Sequence, residues 1–173
     1  RLFWVFHVLR DYARTLTENA SRHVAGIPGW MEVAKALETA QIPLPLIYGH
    51  NDLLPANFLY ANNRVWLIDF EYSAYSTAMF DLAGLSSNAG FDRHQSLELL
   101  KLYFSSNPDA GLIQALEAMQ CASLLREAMW SMVSELFLKA PGVDYAAYTA
   151  NQLDAYSARL DDYQSRFGKI AKS

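Results

Sequence analysis

Three acidic side chains and an asparagine stand close together before the middle of the chain. Asp52 and Asn57 lie in YGHNDLLPANFLY (48–60), and Asp69 and Glu71 in IDFEY (68–72). All four neighbour apolar, strand-forming residues. Charges beside an apolar core are costly unless they are paired or bind a cation. Taken singly, an Asp or Asn here is an ordinary turn residue. The combination D-x4-N-x11-D, with strand-like segments between its members, is more specific. If those strands pair, the Asn57 oxygen and the Asp69 carboxylate can meet at one point. Two protein oxygens, completed by phosphate oxygens and water, suit Mg²⁺, which takes few protein ligands. Asp52 would sit nearby and accept a proton from a hydroxyl. This order of residues is the layout of kinase-type phosphoryl transfer.

Several elements must position these groups. Apolar residues at Leu2, Val5, Phe6, Leu9, Tyr12, Ala13 and Leu16 predict a helix over 2–20. AGIPG at 25–29 breaks it, and a second helix follows over 30–40. IPLP ends that helix, since proline disfavours helix at the residue before it. A short strand is expected at 46–48, then a polar loop over 49–56. Strands at 57–60 and 64–68 flank the turn ANN as a hairpin. Helices are expected at 79–88, 92–104, 109–139 (with possible breaks) and 144–167, the last two separated by APG at 140–142. The fold class expected is mainly α with a small β hairpin element, an α+β chain.

Composition bounds the function. The 173 residues suit one domain, and 52% hydrophobic with 13% aromatic residues supply a core. A net charge of −4 without a basic cluster argues against a nucleic-acid partner held by charge. Cys121 is the only cysteine, so no intrachain disulfide or zinc cysteine pair exists; it reads as a small buried hydrophobe, and a reduced, cytoplasmic setting is expected. No apolar run reaches the ~18 residues of a membrane span.

HNDLLPAN together with IDFEYSAYSTAMFDLA resembles the choline/ethanolamine kinase family, within the wider aminoglycoside-phosphotransferase and protein-kinase-like group. The resemblance runs from about 47 to 90 and more loosely to about 157. It implies a protein-kinase-like C-terminal lobe and ATP as phosphoryl donor. By resemblance Asp52 is the catalytic base, and Asn57 and Asp69 hold Mg²⁺. Asp81, opening a helix in FDLA, anchors the catalytic loop through its backbone amides, a role compatible with a helix N-cap. His50 packs and hydrogen-bonds within the loop, and Glu71 gives structural support. The family's N-terminal lobe supplies a Gly-rich loop and a strand lysine. Here no Gly-rich loop is seen, and Lys35, the only lysine before the motif, falls in a helical pattern. Residues 1–173 are therefore expected to form one C-terminal lobe, with negligible activity alone.

A cationic acceptor such as choline or ethanolamine needs aromatic faces or carboxylates. By resemblance, Tyr72, Trp130 and Tyr145 wrap the trimethylammonium group. The family helix usually carries two tryptophans three residues apart, whereas Glu127 replaces the first here. Its helix neighbours Ser123, Leu124, Trp130 and Ser131 include no base, so no intrahelical ion pair is expected and Glu127 would serve as counter-charge to a substrate amine at the cleft's rim. Asn88 stands near where eukaryotic choline kinases tend to have Glu, which resembles the bacterial branch. His7, His23 and His94 receive no role. Two alternatives stay open: a kinase for an aminoglycoside or similar amine, and a non-catalytic amine-binding module.

Overall fold

A computed structural model describes residues 1–138 and 142–170. Six α-helices are described: α1 (Val5–Glu18), α2 (Ile27–Thr39), α3 (Ala78–Asn88), α4 (Arg93–Phe104), α5 (Ala110–Phe137) and α6 (Tyr145–Phe167). Four strands, β1 (Leu46–Gly49), β2 (Phe58–Ala61), β3 (Arg64–Leu67) and β4 (Ala74–Thr77), make two antiparallel pairs, β1 with β4 and β2 with β3. The fold is α+β and mainly helical. Among the described residues no helix is long and apolar enough to cross a membrane.

Helix α5 is the axis of the core. It carries buried residues on every side, from Leu112 through Met119, Leu125 and Met129 to Ser134. A helix apolar all round must be enclosed, and α1, α2, α3 and α6 pack around it. Helix α1 offers Val5, Phe6, Leu9, Ala13 and Leu16, and α6 offers Thr149, Tyr156 and Tyr163, one residue every two turns. Two polar side chains of α5 inside this core are paired. Glu117 accepts from Arg93 Nε of α4 (2.9 Å) and from Arg166 Nε of α6 (2.6 Å). Gln120 donates to Ser86 (2.7 Å) and Ser96 (3.3 Å). Asp92, Asp109 and Asp144 cap α4, α5 and α6 by accepting from the Gln95, Leu112 and Ala147 amides.

The elements depart from the sequence reading in five places. Residues before Val5 are not helical; Phe3 N–H donates to Tyr75 O (2.8 Å) and Tyr75 N–H to Arg1 O (3.1 Å), so the first residues extend beside β4. Helix α2 starts at Ile27 because Pro28 sits in its first turn, where a missing N–H costs nothing. Asn57 closes a 3₁₀ turn, Pro55–Asn57, instead of opening β2. Strand β4 was not foreseen: its register, Leu46 opposite Thr77 and Gly49 opposite Ala74, spans a long stretch of chain and leaves no local signal. Helix α5 runs unbroken, with no Gly or Pro after Gly111 to interrupt it. Lys139, the last residue of the expected helix, and Ala140 and Pro141 of the expected break lie outside the described residues.

Candidate active site

The loop after β1 is pinned from below. Asp81 lies in the first turn of α3, past the N-cap position, which Thr77 holds. Its carboxylate accepts from the amides of His50 (2.8 Å) and Asn51 (2.7 Å). Burial, the larger effect, raises the Asp81 carboxyl above its usual range, and the two amides pull it back. Gly49 makes the approach possible, since a Cβ there would meet Ser76 Oγ at 2.3 Å and Asp81 Oδ2 at 3.0 Å. Asn51 takes a left-handed φ of 63°, and its Nδ2 donates to Tyr72 O (3.1 Å). Asn readily accepts that conformation. His50 is buried, with Nε2 bonded to Ile68 O (2.9 Å) and its ring on Phe70 (4.6 Å between centroids). Loop, hairpin end and β4 are thereby tied to one another.

The hairpin places the two candidate metal ligands. Asn62 and Asn63, both at positive φ, form its tight turn. Asn57 is buried; its Nδ2 donates to Asp52 O (2.9 Å), so its Oδ1 remains the acceptor end. Ile68 N–H donates to Asn57 O (3.0 Å), which sets Ile68 opposite Asn57 and Asp69 one residue beyond it. Asp69 is exposed and left-handed, φ 65°. An amide oxygen and a carboxylate are a hard, all-oxygen donor set that fits Mg²⁺. Among the described residues no three His, Cys, Asp or Glu side chains gather as a metal cage. Glu71 is exposed in the following turn.

Asp52 opens into a cavity of about 140 Å³ lined by Asp52, Leu54, Tyr72, Arg126, Glu127, Trp130 and Tyr148. Burial raises the half-buried Asp52 carboxyl above its usual range; Arg126 and His50 oppose the rise, while Glu127 and Asp69 add to it. Tyr72 and Trp130 thus share a wall with Asp52, although the chain carries them far apart. Tyr145 does not line this cavity; it stands edge-on to Trp130, 6.2 Å between centroids, and Tyr148, one turn later, takes the wall. Asn88, at the end of α3, donates to Leu53 O (3.3 Å) and braces the loop.

Glu127 differs most from its expected setting. It is neither at the rim nor unpaired: its side chain is 13% exposed, and Arg126 pairs with its Oε1. Tyr148 of α6 donates to its Oε2 (3.3 Å) and stays a neutral phenol, pushed up to about 12 by burial first and then by Glu127. Neighbours three and four residues away are the usual helix partners. A long guanidinium reaches the adjacent residue, and only that reach was missing from the sequence argument. Leu54, Arg126 and Tyr148 are the lining residues the sequence did not single out.

The family model for choline/ethanolamine kinase matches residues 29–109, which hold the whole acidic motif. The Arabidopsis thaliana "Probable ethanolamine kinase" is 31% identical over 114 residues, covering 55% of this chain and 30% of its own length. The Dictyostelium discoideum "Probable ethanolamine kinase A" is 29% identical over 164 residues, covering 77% of this chain and 44% of its own. The crystal structure of a choline/ethanolamine kinase family protein from Mesorhizobium loti superposes with TM-score 0.81 at 26% identity, over 92% of this chain and 55% of that one. The chain therefore spans about half the length of that structure and less of the two relatives. With the profile falling on the loop that Asp81 pins and the superposition taking in 92% of the chain, the chain is similar to the choline/ethanolamine kinase family in sequence and in fold.

Proposed function

We propose that the chain supplies the catalytic lobe of an ATP-dependent kinase that phosphorylates the hydroxyl of a small amino alcohol, ethanolamine or choline. One observation carries this reading: the Asp52 carboxylate shares a single small cavity with the faces of Tyr72, Trp130 and Tyr148 and with Glu127. An ammonium group suits those rings and carboxylates, and a hydroxyl two carbons away would then reach Asp52. Asp52 takes the hydroxyl proton as the oxygen bonds to the γ-phosphorus of ATP and ADP leaves. Its raised affinity for protons makes it a stronger base than an exposed carboxylate. Asn57 and Asp69 would hold Mg²⁺, which when bound neutralises the phosphate charge. Asp81 keeps Asp52 in place through the His50 and Asn51 amides.

A second lobe would complete the nucleotide clamp, in keeping with the chain's share of the superposed structure. An aminoglycoside is a poor match for a cavity of about 140 Å³, since drug-sized ligands occupy roughly 300–1,000 Å³.

The test is ATP-dependent phosphorylation of ethanolamine and choline by the two-lobed polypeptide. Asp52→Ala should lower kcat by about 10²–10⁴, the scale of a general base, while ATP binding is retained. Asp69→Ala should instead weaken Mg-nucleotide binding. Near-normal turnover in Asp52→Ala would remove the base assignment.

A further inference from the structure

The acceptor cavity already contains a cation. Arg126 is 6% exposed and lines the wall. Its guanidinium carbon lies 5.8 Å from the Tyr72 ring centroid, inside the ~6 Å within which a cation is drawn to an aromatic face. Its Nη1 pairs with Glu127 Oε1, and its Nε has no hydrogen-bond partner. Two of the groups suited to an amine, the Tyr72 face and one Glu127 oxygen, are thus engaged by the protein's own positive charge. Trp130, Tyr148 and Asp52 remain for a ligand. The transfer chemistry gives the guanidinium no task, because the hydroxyl proton goes to Asp52.

A single ammonium can settle against Trp130 and Tyr148. A second ammonium in so small a cavity would have to stand beside Arg126, where like charges repel. We propose that Arg126 is a specificity-determining residue: its guanidinium fills one of two cation positions, between Tyr72 and Glu127, and restricts the cleft to acceptors with one positive charge. This rests on the amine-acceptor reading above.

The experiment titrates three small alcohols of increasing charge into the 173-residue chain by calorimetry: ethylene glycol, ethanolamine and 1,3-diaminopropan-2-ol. Arg126→Gln keeps a hydrogen-bond donor for Glu127 and loses the charge; Arg126→Lys keeps the charge. Arg126→Gln should leave ethylene glycol unchanged and tighten ethanolamine roughly 3- to 30-fold, the scale of one cation–π contact. The diamine should gain by a larger factor. Arg126→Lys should preserve the wild-type order. If Arg126→Gln does not fold by circular dichroism, Arg126→Gln with Glu127→Gln removes the pair as a unit. The ratio of diamine to ethanolamine affinity must still rise in that double variant. Equal changes for all three alcohols, or no change, would reduce Arg126 to a structural partner of Glu127 and overturn the proposal while the amine reading stood. Absence of ethanolamine binding in both wild type and Arg126→Gln would overturn the two together.

Discussion

Asp52 is pulled in two directions. Half-burial among apolar neighbours holds its carboxyl above the usual range, so its charged form is a cost to the folded chain. That cost is complete above the raised folded-state pKa and disappears below the ordinary unfolded-state one. Asp52→Asn should therefore raise the melting temperature at neutral pH while lowering turnover by about 10²–10⁴, as proposed for loss of the base. The gain should shrink as pH falls through the carboxylate range, because the wild-type side chain then becomes neutral too. Melting curves at several pH values check the sign; a variant less stable than wild type at neutral pH would contradict it. Asp52, Asn57 and Asp69 stand out in the sequence by type and spacing, and the chemistry proposed for them rests on that pattern. Arg126 does not stand out, since nothing in its position separates it from a solvent-facing arginine until the Tyr72 ring is brought to it from another element.

At the level of elements, the loop after β1 is held by a helix it does not touch in sequence. Asp81 of α3 satisfies two loop amides, and Asn51 stitches the loop to the Tyr72 carbonyl. Asp81→Ala leaves both amides without their acceptor, at about 1–3 kcal/mol for each buried group. Hydrogen exchange at His50 and Asn51 should accelerate well beyond that of the α5 core, and unchanged protection there would show that other contacts hold the loop. The helices themselves could be read from 3.6-residue periodicity, to within a few residues at their ends. The pairing of β1 with β4, and of the N-terminal residues with Tyr75, could not, because a four-residue strand gains its partner only when distant chain folds back.

Across the whole molecule, Glu117 fastens three helices at once. The carboxylate is 3% exposed, whereas Arg93 and Arg166 keep 47% and 29% of their side-chain exposure. Its loss strands no buried charge, since both arginines can turn to water. Glu117→Ala should therefore cost about 1.5–3 kcal/mol, the range for a hydrogen bond to a charged group, below the loss for breaking a buried pair. Urea denaturation measures it, and a midpoint equal to wild type would mean that apolar packing alone docks α4 and α6 on α5. Composition made a helical core legible, but it could not say which of its carboxylates lies inside.

The cleft is assembled from two separately encoded pieces. Asp52, Leu54 and Tyr72 come from the loops around the hairpins, while Arg126, Glu127, Trp130 and Tyr148 all come from α5 and α6. Chemistry and recognition are thus heritable apart from each other. On the proposed reading, a change in the helical pair, at Arg126 or Glu127 for instance, would alter the acceptor without altering the surroundings that hold Asp52. Transplanting α5 and α6 between two relatives should carry acceptor preference with the helices and leave the pH dependence of turnover with the recipient.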